Sequence, residues 1–411
     1  MARLTGSTGL IDPVLTDRAV PAERPAARRM RTARLSLPAL TRIGSTEYHL
    51  LGAITLFLSA FGLVMVLSSS SVEQGEDGGD PFAHFQKQAM ALFLGLAVML
   101  LASRAAPGLW RRLAPIALVI SVAVQLLTAL TPIGTSVYGN QNWIQAGPLS
   151  LQPSEFVKFA LVLCAASFFS RRPGRTATLR DLTPLLAQGA VAIGSVALGH
   201  DMGTCTVMGV IVLAGLFFAD VPARVLAAVV TVTAAAGALF LLTGGSRVTR
   251  FTAWAHGCAG QQLDACWQSV QGTWALAAGG VFGVGLGNSV SKWSWLPEAD
   301  NDFILAIIGE ETGLIGLTVL LGLFVALTVA FLRITTRTRD PFTRIAAGMT
   351  LAWIVGQALT NMAVVLGMLP VLGVPLPFIS SGGSSMVANL LAIGCVMSLA
   401  NAERTALPEP A

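Results

Sequence analysis

The sequence predicts an all-α, polytopic membrane protein with about ten transmembrane helices. Hydrophobic residues make up 54% of its 411 residues, its mean hydropathy is +0.70, and only 11% of its residues are charged. Apolar runs of the length that crosses a bilayer recur along the chain, and a soluble protein would have no use for so much apolar surface. The net charge of +5 alone would be compatible with a nucleic-acid partner, but the distribution of the charges along the chain gives it another explanation, described below.

The first 47 residues are rich in Arg, Ala, Pro and Thr and show no apolar periodicity. Eight arginines and the lack of an apolar stretch near the start exclude an ordinary cleaved signal peptide. We expect residues 1–47 to form a disordered cytoplasmic tail, 48–402 the transmembrane domain, and 403–411 a short cytoplasmic tail.

Ten apolar runs account for the predicted helices, and a long loop, 244–302, precedes the eighth. In chain order the runs lie at about 48–70, 88–104, 113–131, 153–170, 183–199, 203–219, 224–243, 303–332, 345–369 and 385–401. The tail and the loops on its side of the membrane hold 21 of the 26 basic residues. Because cytoplasmic loops carry the excess of Lys and Arg, both termini are expected in the cytoplasm and loop 244–302 outside. The same asymmetry explains the net positive charge, so no nucleic-acid partner is expected.

Five carboxylates lie within 14 positions around the start of the eighth run: Glu298, Asp300, Asp302, Glu310 and Glu311. Acidic groups at or below a membrane surface are costly unless they are paired, hydrated or neutralised, so they indicate function by default. An N-cap would explain one residue of the Asp300-Asn-Asp302 triplet but not five acids. We interpret this stretch as the active region and the rest of the chain as its scaffold.

Three other segments carry polar groups into apolar surroundings. In Gln152-Pro-Ser-Glu-Phe-Val-Lys158, two charges three residues apart are expected to pair, and the lysine could also meet an anionic substrate. In His200-Asp-Met-Gly-Thr204, the aspartate is either functional or a helix cap. In Pro375-Leu-Pro-Phe-Ile-Ser-Ser-Gly-Gly-Ser-Ser385, prolines followed by small and hydroxyl residues predict a broken, re-entrant backbone whose N–H groups and hydroxyls could bind phosphate.

The five cysteines show no spacing that indicates a metal site. Cys258 and Cys266 lie in the long outer loop, where a disulfide and two free thiols are both open interpretations. The glycines of segment 279–287 follow no strand, so they are expected to pack closely against helices rather than bind a nucleotide.

The segment Gly285-Leu-Gly-Asn-Ser-Val-Ser-Lys-Trp-Ser-Trp-Leu-Pro-Glu-Ala-Asp-Asn-Asp-Phe303 resembles the signature of the SEDS family of polytopic cell-wall polymerases. The three segments above resemble other motifs of that family in the same order, and the similarity covers about residues 48–402. Ile308-Gly-Glu-Glu311 and Leu376-Pro-Phe-Ile379 resemble the division branch, FtsW, more than the elongation branch, RodA. The chain departs from the family at three positions, where other residues are usual: Asn142, His200 and Ser380.

This resemblance implies a peptidoglycan glycosyltransferase that polymerises lipid II at the outer face of the cytoplasmic membrane, for septal wall synthesis in cell division. It implies that the essential aspartate of the family is Asp302. It also implies three kinds of partner, namely lipid II, a class B penicillin-binding transpeptidase and other divisome membrane proteins. The alternatives are an elongation-type polymerase that serves cell shape, a flippase for the lipid-linked precursor, and a scaffold that recruits a transpeptidase.

Glycosyl transfer from an undecaprenyl diphosphate donor needs a base for the acceptor hydroxyl and positive charge or N–H groups for the leaving diphosphate. Asp302 is the candidate base, or equally a ligand of a divalent cation such as Mg²⁺ or Mn²⁺, and no organic cofactor is expected. Candidates to hold the diphosphate are Arg247, Arg250, Lys158, Lys292 or that cation. Further candidate substrate contacts are Lys292, Glu298, Lys158, Glu155, Trp143, Asp201, Ser381 and Ser384.

Overall fold

The computed structural model describes residues 46–76, 82–137, 140–147, 149–172, 178–258, 266–293 and 296–404. The expected N-terminal tail up to residue 45 and residues 405–411 of the expected C-terminal tail lie outside these ranges. The described helices are α1 Thr46–Glu76, α2 Ala83–Ser103, α3 Pro107–Leu130, α4 Pro153–Ser170, α5 Leu179–Ala197, α6 Met202–Phe218, α7 Ala223–Leu242, α8 Gly245–Ala255, α9 Trp267–Gly279, α10 Ile304–Arg337, α11 Pro341–Val365 and α12 Gly383–Arg404. The described strands are β1 Gly134–Val137, β2 Asn140–Ala146 and β3 Leu149–Leu151.

The predicted helical membrane fold is confirmed, and each of the ten predicted runs corresponds to one helix. Among the described residues, eight helices are long and apolar enough to cross a membrane by length and composition. α6 is apolar but has only 17 residues, and α5 is not among the eight. The polar residues Arg180, Asp181, Thr183 and Gln188 occupy the first half of α5, which lowers its hydropathy.

Local chemistry accounts for the helix starts that matter most for the site. Proline occupies the first turn of α4 and α11, where its missing N–H is not needed. The Asp340 side chain caps α11 by accepting from Thr343 N at 3.2 Å, and Asp201 caps α6 by accepting from Thr204 N at 2.8 Å.

Helices α4, α11 and α12 are mostly buried within the protein, whereas α7 is almost entirely exposed. The centre of the bundle is therefore built from α4, α11 and α12.

The structure adds elements that the apolar runs did not predict. Strands β1, β2 and β3 form an antiparallel sheet in that order, between α3 and α4. The register of β1 and β2 shifts so that Asn142 has no partner on β1, which is the arrangement of a β-bulge. Two further helices, α8 and α9, lie within the predicted loop 244–302.

Helix α10 is broken at Gly313, whose backbone (φ 67°, ψ −167°) is not helical. The segment 280–285, which follows α9, replaces the helical hydrogen bonds lost there. Four bonds of 3.0–3.3 Å join the two: Val284 N–H to Glu310 O, Gly285 N–H to Glu311 O, Leu314 N–H to Gly280 O, and Ile315 N–H to Val281 O. A side chain on Gly279 would meet the backbone of Gly309, and one on Gly283 the backbone of Glu311, so the expected close packing is confirmed for these two glycines. Gly280 and Gly287 have open space around them.

Candidate functional site

A cavity of about 400 Å³ lies where α4, α6, α11, the sheet and the segment before α10 meet. Seven of the residues singled out from the sequence line it: Asp302, Glu298, Lys158, Glu155, Trp143, Asp201 and Arg250. Sequence positions from 143 to 302 are thus brought to one polar chamber. Helix α10 starts one residue after Phe303, so Asp302 precedes the helix rather than lying inside it.

Asp302 is half-buried and has an unusual environment for a carboxylate. In the described part of the chain its side chain has no hydrogen-bond or ion-pair partner, although its backbone carbonyl accepts a 2.7 Å bond from Asn361. Burial raises the pKa of Asp302 to about 7, and the negative charge of Glu298 is the next cause. Arg250 acts in the opposite direction. Near neutral pH this carboxyl can therefore take up or release a proton.

The neighbouring acids, in contrast, each have a partner. Asp300 Oδ2 lies 3.0 Å from His84 Nδ1, and Glu298 Oε2 accepts a 3.1 Å bond from Asn301 Nδ2. Asp201 Oδ2 accepts from the Thr204 hydroxyl at 2.8 Å and from Gln152 Nε2 at 3.2 Å, besides its capping bond. For Asp201 the structure therefore shows the cap that the sequence offered as one alternative, on a residue that also lines the cavity.

The predicted pairing of Glu155 and Lys158 is confirmed. Lys158 Nζ lies 2.8 Å from Glu155 Oε1, and both side chains are only 2% exposed. The ammonium also donates to Gln357 Oε1 at 3.0 Å and lies 5.1 Å from the centre of the Trp353 ring. Two buried charges that line a cavity need such partners, because an unpaired ion would be strongly destabilising there.

Glu310 and Glu311 stabilise the backbone around the break in α10. Glu310 accepts from the Ser289 hydroxyl at 2.6 Å and from Val290 N at 2.9 Å. Glu311 accepts from the Ser68 hydroxyl at 2.6 Å and lies 3.4 Å from Lys292 Nζ. Both glutamates are buried and neither lines the cavity. Their contacts hold the loop before α10 against α10 and α1.

Three predicted substrate contacts, Lys292, Ser381 and Ser384, do not line the cavity. Lys292 is 4% exposed, and besides Glu311 its ammonium donates to the backbone carbonyls of Ser68 at 3.1 Å and Gly287 at 2.7 Å. Ser381 N–H donates to Asp300 O at 2.9 Å, and the Ser384 hydroxyl accepts from Gln152 N at 3.1 Å. The Lys292 ammonium and the Ser381 N–H are therefore engaged within the protein, whereas these contacts leave the hydroxyl donors of Ser381 and Ser384 unused.

The segment before α12 is irregular, as its prolines predicted, and it is hydrogen-bonded to the segment 300–302 that precedes α10. The Ser380 hydroxyl donates to Asn301 O at 2.7 Å and accepts from Leu376 N at 2.7 Å. Gln88, from α2, donates to Ser380 O at 3.1 Å. Together with the Ser381–Asp300 bond, these contacts fix the backbone on which Asp302 stands.

Sequence reasoning missed other residues of the chamber. Gln357 lines it from α11, and Asn361, one turn later, donates to both Asp302 O and Val374 O. Two amides four residues apart in a mostly apolar helix were the available signal. Asn142, one of the three departures noted from the sequence, is buried in the core and accepts a 2.7 Å bond from Gln125.

The structure contains the disulfide between Cys258 and Cys266, which joins the end of α8 to the start of α9. Among the residues that are described, no three or more His, Cys, Asp or Glu side chains are grouped in a way that could hold a metal ion. The carboxylates of the chamber therefore do not form a dedicated metal cage.

Comparisons with known proteins agree with this architecture. Residues 48–405 match the FtsW/RodA/SpoVE family, described as cell cycle proteins. The probable peptidoglycan glycosyltransferase FtsW of Mycobacterium tuberculosis is 36% identical over 363 residues, which cover 88% of this chain and 69% of that protein. The protein of the same name from Coxiella burnetii is 38% identical over 358 residues, which cover 84% of this chain and 94% of the relative.

Solved structures share the fold at lower identity. The Thermus thermophilus rod shape determining protein RodA aligns with a TM-score of 0.64 at 24% identity, over 86% of this chain and 96% of that one. A chain of a peptidoglycan synthase complex aligns with a TM-score of 0.72 at 22% identity, over 86% of this chain and 97% of that one.

The family match spans residues 48–405, which is most of the chain, and the FtsW relatives exceed 30% identity over most of their own length. This chain therefore belongs to the FtsW/RodA/SpoVE family of cell cycle proteins.

Proposed function

We propose that this chain is a peptidoglycan glycosyltransferase that polymerises lipid II, of the division rather than the elongation branch of its family. Family membership and the relatives named FtsW support the activity. The observation that carries it in this chain is Asp302, a carboxylate without a partner in the described residues, in a chamber where the other acids are paired.

The chemistry follows from that contrast. A hydroxyl of the acceptor sugar gives its proton to the Asp302 carboxylate as its oxygen bonds to the anomeric carbon of the donor. The bond from that carbon to the diphosphate breaks, and the lipid diphosphate leaves with one more negative charge. A carboxylate that is already hydrogen-bonded would have to lose a partner before it could accept the proton of the acceptor hydroxyl. Asp302 has no such partner to lose among the described residues. Its pKa of about 7 suits proton transfer near neutral pH.

We propose no resident metal ion, because the described carboxylates do not fit a dedicated site. Mg²⁺ commonly binds through one or two carboxylates together with substrate phosphates, and it would supply positive charge to the leaving group. A cation that arrives with the substrate diphosphate is therefore the form of metal dependence to test. Binding of lipid II to wild type and to Asp302→Asn, with and without chelator, would show whether Asp302 contributes to holding such an ion.

We also propose that the chamber opens to the outside of the cytoplasmic membrane. The excess of Lys and Arg on the opposite side supports this orientation, and the Cys258–Cys266 disulfide requires an oxidising compartment. A reporter fused after Ala411 should read cytoplasmic. The reverse result would overturn the assignment of both sides.

A complex with a single-span class B penicillin-binding transpeptidase, at the division septum, completes the proposal. It is supported by the FtsW names of the relatives and by the fold shared with a chain from a peptidoglycan synthase complex. Co-purification from detergent-solubilised membranes tests it. Full activity of the isolated chain without any association would count against such a complex.

Polymerisation of lipid II by the purified, full-length protein tests the proposed activity. Wild type should yield glycan polymer, and Asp302→Asn should be slower by about 10²–10⁴-fold, the usual contribution of a general base. Asp300→Asn is the matched control, since the same substitution two residues away leaves Asp302 in place. A protein that translocated lipid II without forming polymer would instead support the flippase.

A further inference from the structure

A second cavity, of about 280 Å³, adjoins the chamber of Asp302. The two cavities share three lining residues, Asn140, Arg250 and Val371. Arg247 and Arg250 both line the second cavity, and their spacing of three places them on one face of α8. Arg250 therefore borders both spaces.

The two cavities differ in charge. Four carboxylates line the chamber, Glu155, Asp201, Glu298 and Asp302, against two cations, Lys158 and Arg250. Among the described residues, no carboxylate lines the second cavity, whose ionisable residues are His200, Arg247 and Arg250. We call the first the acidic cavity and the second the basic cavity. A doubly charged phosphate group would be repelled by the wall of the acidic cavity and attracted by that of the basic cavity.

Arg247 is oriented before any ligand arrives. One of its nitrogens donates to the Phe240 carbonyl at 3.0 Å, and another lies 3.0 Å from His200 Nδ1. Because a guanidinium only donates, that ring nitrogen is the acceptor. The guanidinium also stacks 3.9 Å from the centre of the Phe240 ring. Arg250 is exposed and has no hydrogen-bond or ion-pair partner in the described residues, so its donors are available to an anion.

The basic cavity also has an apolar side that faces towards α7. Met202, Leu241 and Phe251 line it, and Leu239 and Leu242, on the same end of α7, are 66% and 71% exposed. An anion carried by a hydrocarbon chain would find positive charge inside the cavity and an apolar helix beside it.

We infer that the basic cavity binds the diphosphate of the lipid-linked glycosyl donor, while the acceptor sugar occupies the acidic cavity against Asp302. This inference rests on the proposed function and adds a location for each substrate. Arg250, at the junction, would meet the phosphate oxygen that gains charge as the bond to the anomeric carbon breaks. Arg247 would hold the other phosphate. Preorganised positive charge at the leaving group lowers the barrier to transfer.

Binding of undecaprenyl diphosphate to the full-length protein in nanodiscs, without lipid II, tests the assignment apart from turnover. Arg247→Gln and Arg250→Gln should each raise the Kd about tenfold or more, since each removes a charge-assisted hydrogen bond. Arg250→Lys should keep most of the affinity because it keeps the charge. Asp302→Asn should bind as tightly as wild type or tighter.

Arg224→Gln, at the opposite end of α7, is the matched control and should leave the Kd unchanged. Thermal unfolding of every variant separates lost binding from lost folding. Wild-type affinity in both Arg247→Gln and Arg250→Gln would overturn the inference, even if the protein polymerises lipid II. Inorganic diphosphate that bound as tightly as undecaprenyl diphosphate would overturn the lipid-linked part. If wild type made no polymer, the proposed function would fail whatever the binding result.

Discussion

The rate of polymerisation should rise with pH in a range set by Asp302. Only the deprotonated carboxylate can act as the base, and the pKa of this group is about 7 in the folded protein. The deprotonated fraction then rises from about one tenth at pH 6 to about nine tenths at pH 8. We therefore expect the turnover rate at saturating lipid II to increase roughly tenfold over this interval. An ordinary aspartate, ionised well below pH 6, would give a flat profile.

Glu298→Gln separates this explanation from a general effect of pH on the enzyme. The negative charge of Glu298 is the second cause of the raised pKa, after burial. A glutamine removes that charge and can still accept the hydrogen bond from Asn301. The midpoint of the profile should move to lower pH, so the variant should keep more of its maximal rate at pH 6 than wild type does.

The assay is continuous polymerisation of fluorescent lipid II between pH 5.5 and 8.5, with thermal unfolding measured at each pH. A flat profile in wild type would refute the assignment of Asp302 as a base with this pKa. A rising profile whose midpoint does not move in Glu298→Gln would show that another group titrates.

Three further outcomes follow from the contacts. The raised pKa means that folded Asp302 holds its proton more tightly than the unfolded chain does, so wild type loses stability as pH rises from about 4 to about 7. Asp302→Asn should therefore unfold at a higher temperature than wild type at pH 8, and the difference should shrink by pH 5.5; equal melting temperatures at pH 8 would contradict this. Gly283→Ala would press a methyl group against the backbone of Glu311 at a residue with φ +79°, and we expect a loss of about 2 kcal/mol or more. Gly322→Ala, in open space on α10, is the control for chemical denaturation and should be neutral or stabilising. Lys292→Met leaves Glu311 buried without its cation and should cost about 3–5 kcal/mol, most of it recovered in the double variant Lys292→Met/Glu311→Met. If Lys292→Met lost polymerisation while its stability stayed unchanged, Lys292 would be a substrate contact rather than a structural residue.

The helices and the acidic stretch could be predicted because their signals are local. Apolar runs identify spans by length alone, and the spacing of Glu155 and Lys158 predicted an ion pair that the structure contains. The partner of Lys292 could not be predicted in this way. Its choice of Glu311 depends on the fold of the loop before α10, and no spacing rule relates a loop residue to a helix 19 positions later.

Two other features depended on distant parts of the chain. The break in α10 is stabilised by segment 280–285, so Gly313 alone resembles any packing glycine of a membrane helix. The sheet at 134–151 carried a weak signal, a turn at Gly147 (φ 63°) between short strands, which the search for apolar runs passed over. Trp143, a predicted substrate contact, lines the chamber, whereas the bulge turns its neighbour Asn142 into the core.

The break in α10 also settles a question of length. An unbroken helix of 34 residues would measure about 51 Å, far more than a hydrocarbon layer of roughly 30 Å. The 24 residues after Gly313 measure about 36 Å and suffice to cross with some tilt. The nine residues before it, about 14 Å long, are then not needed to cross the hydrocarbon layer. They separate Asp302 from the part of α10 that is long enough to cross, so the break makes the length of that crossing part independent of the segment that follows Asp302.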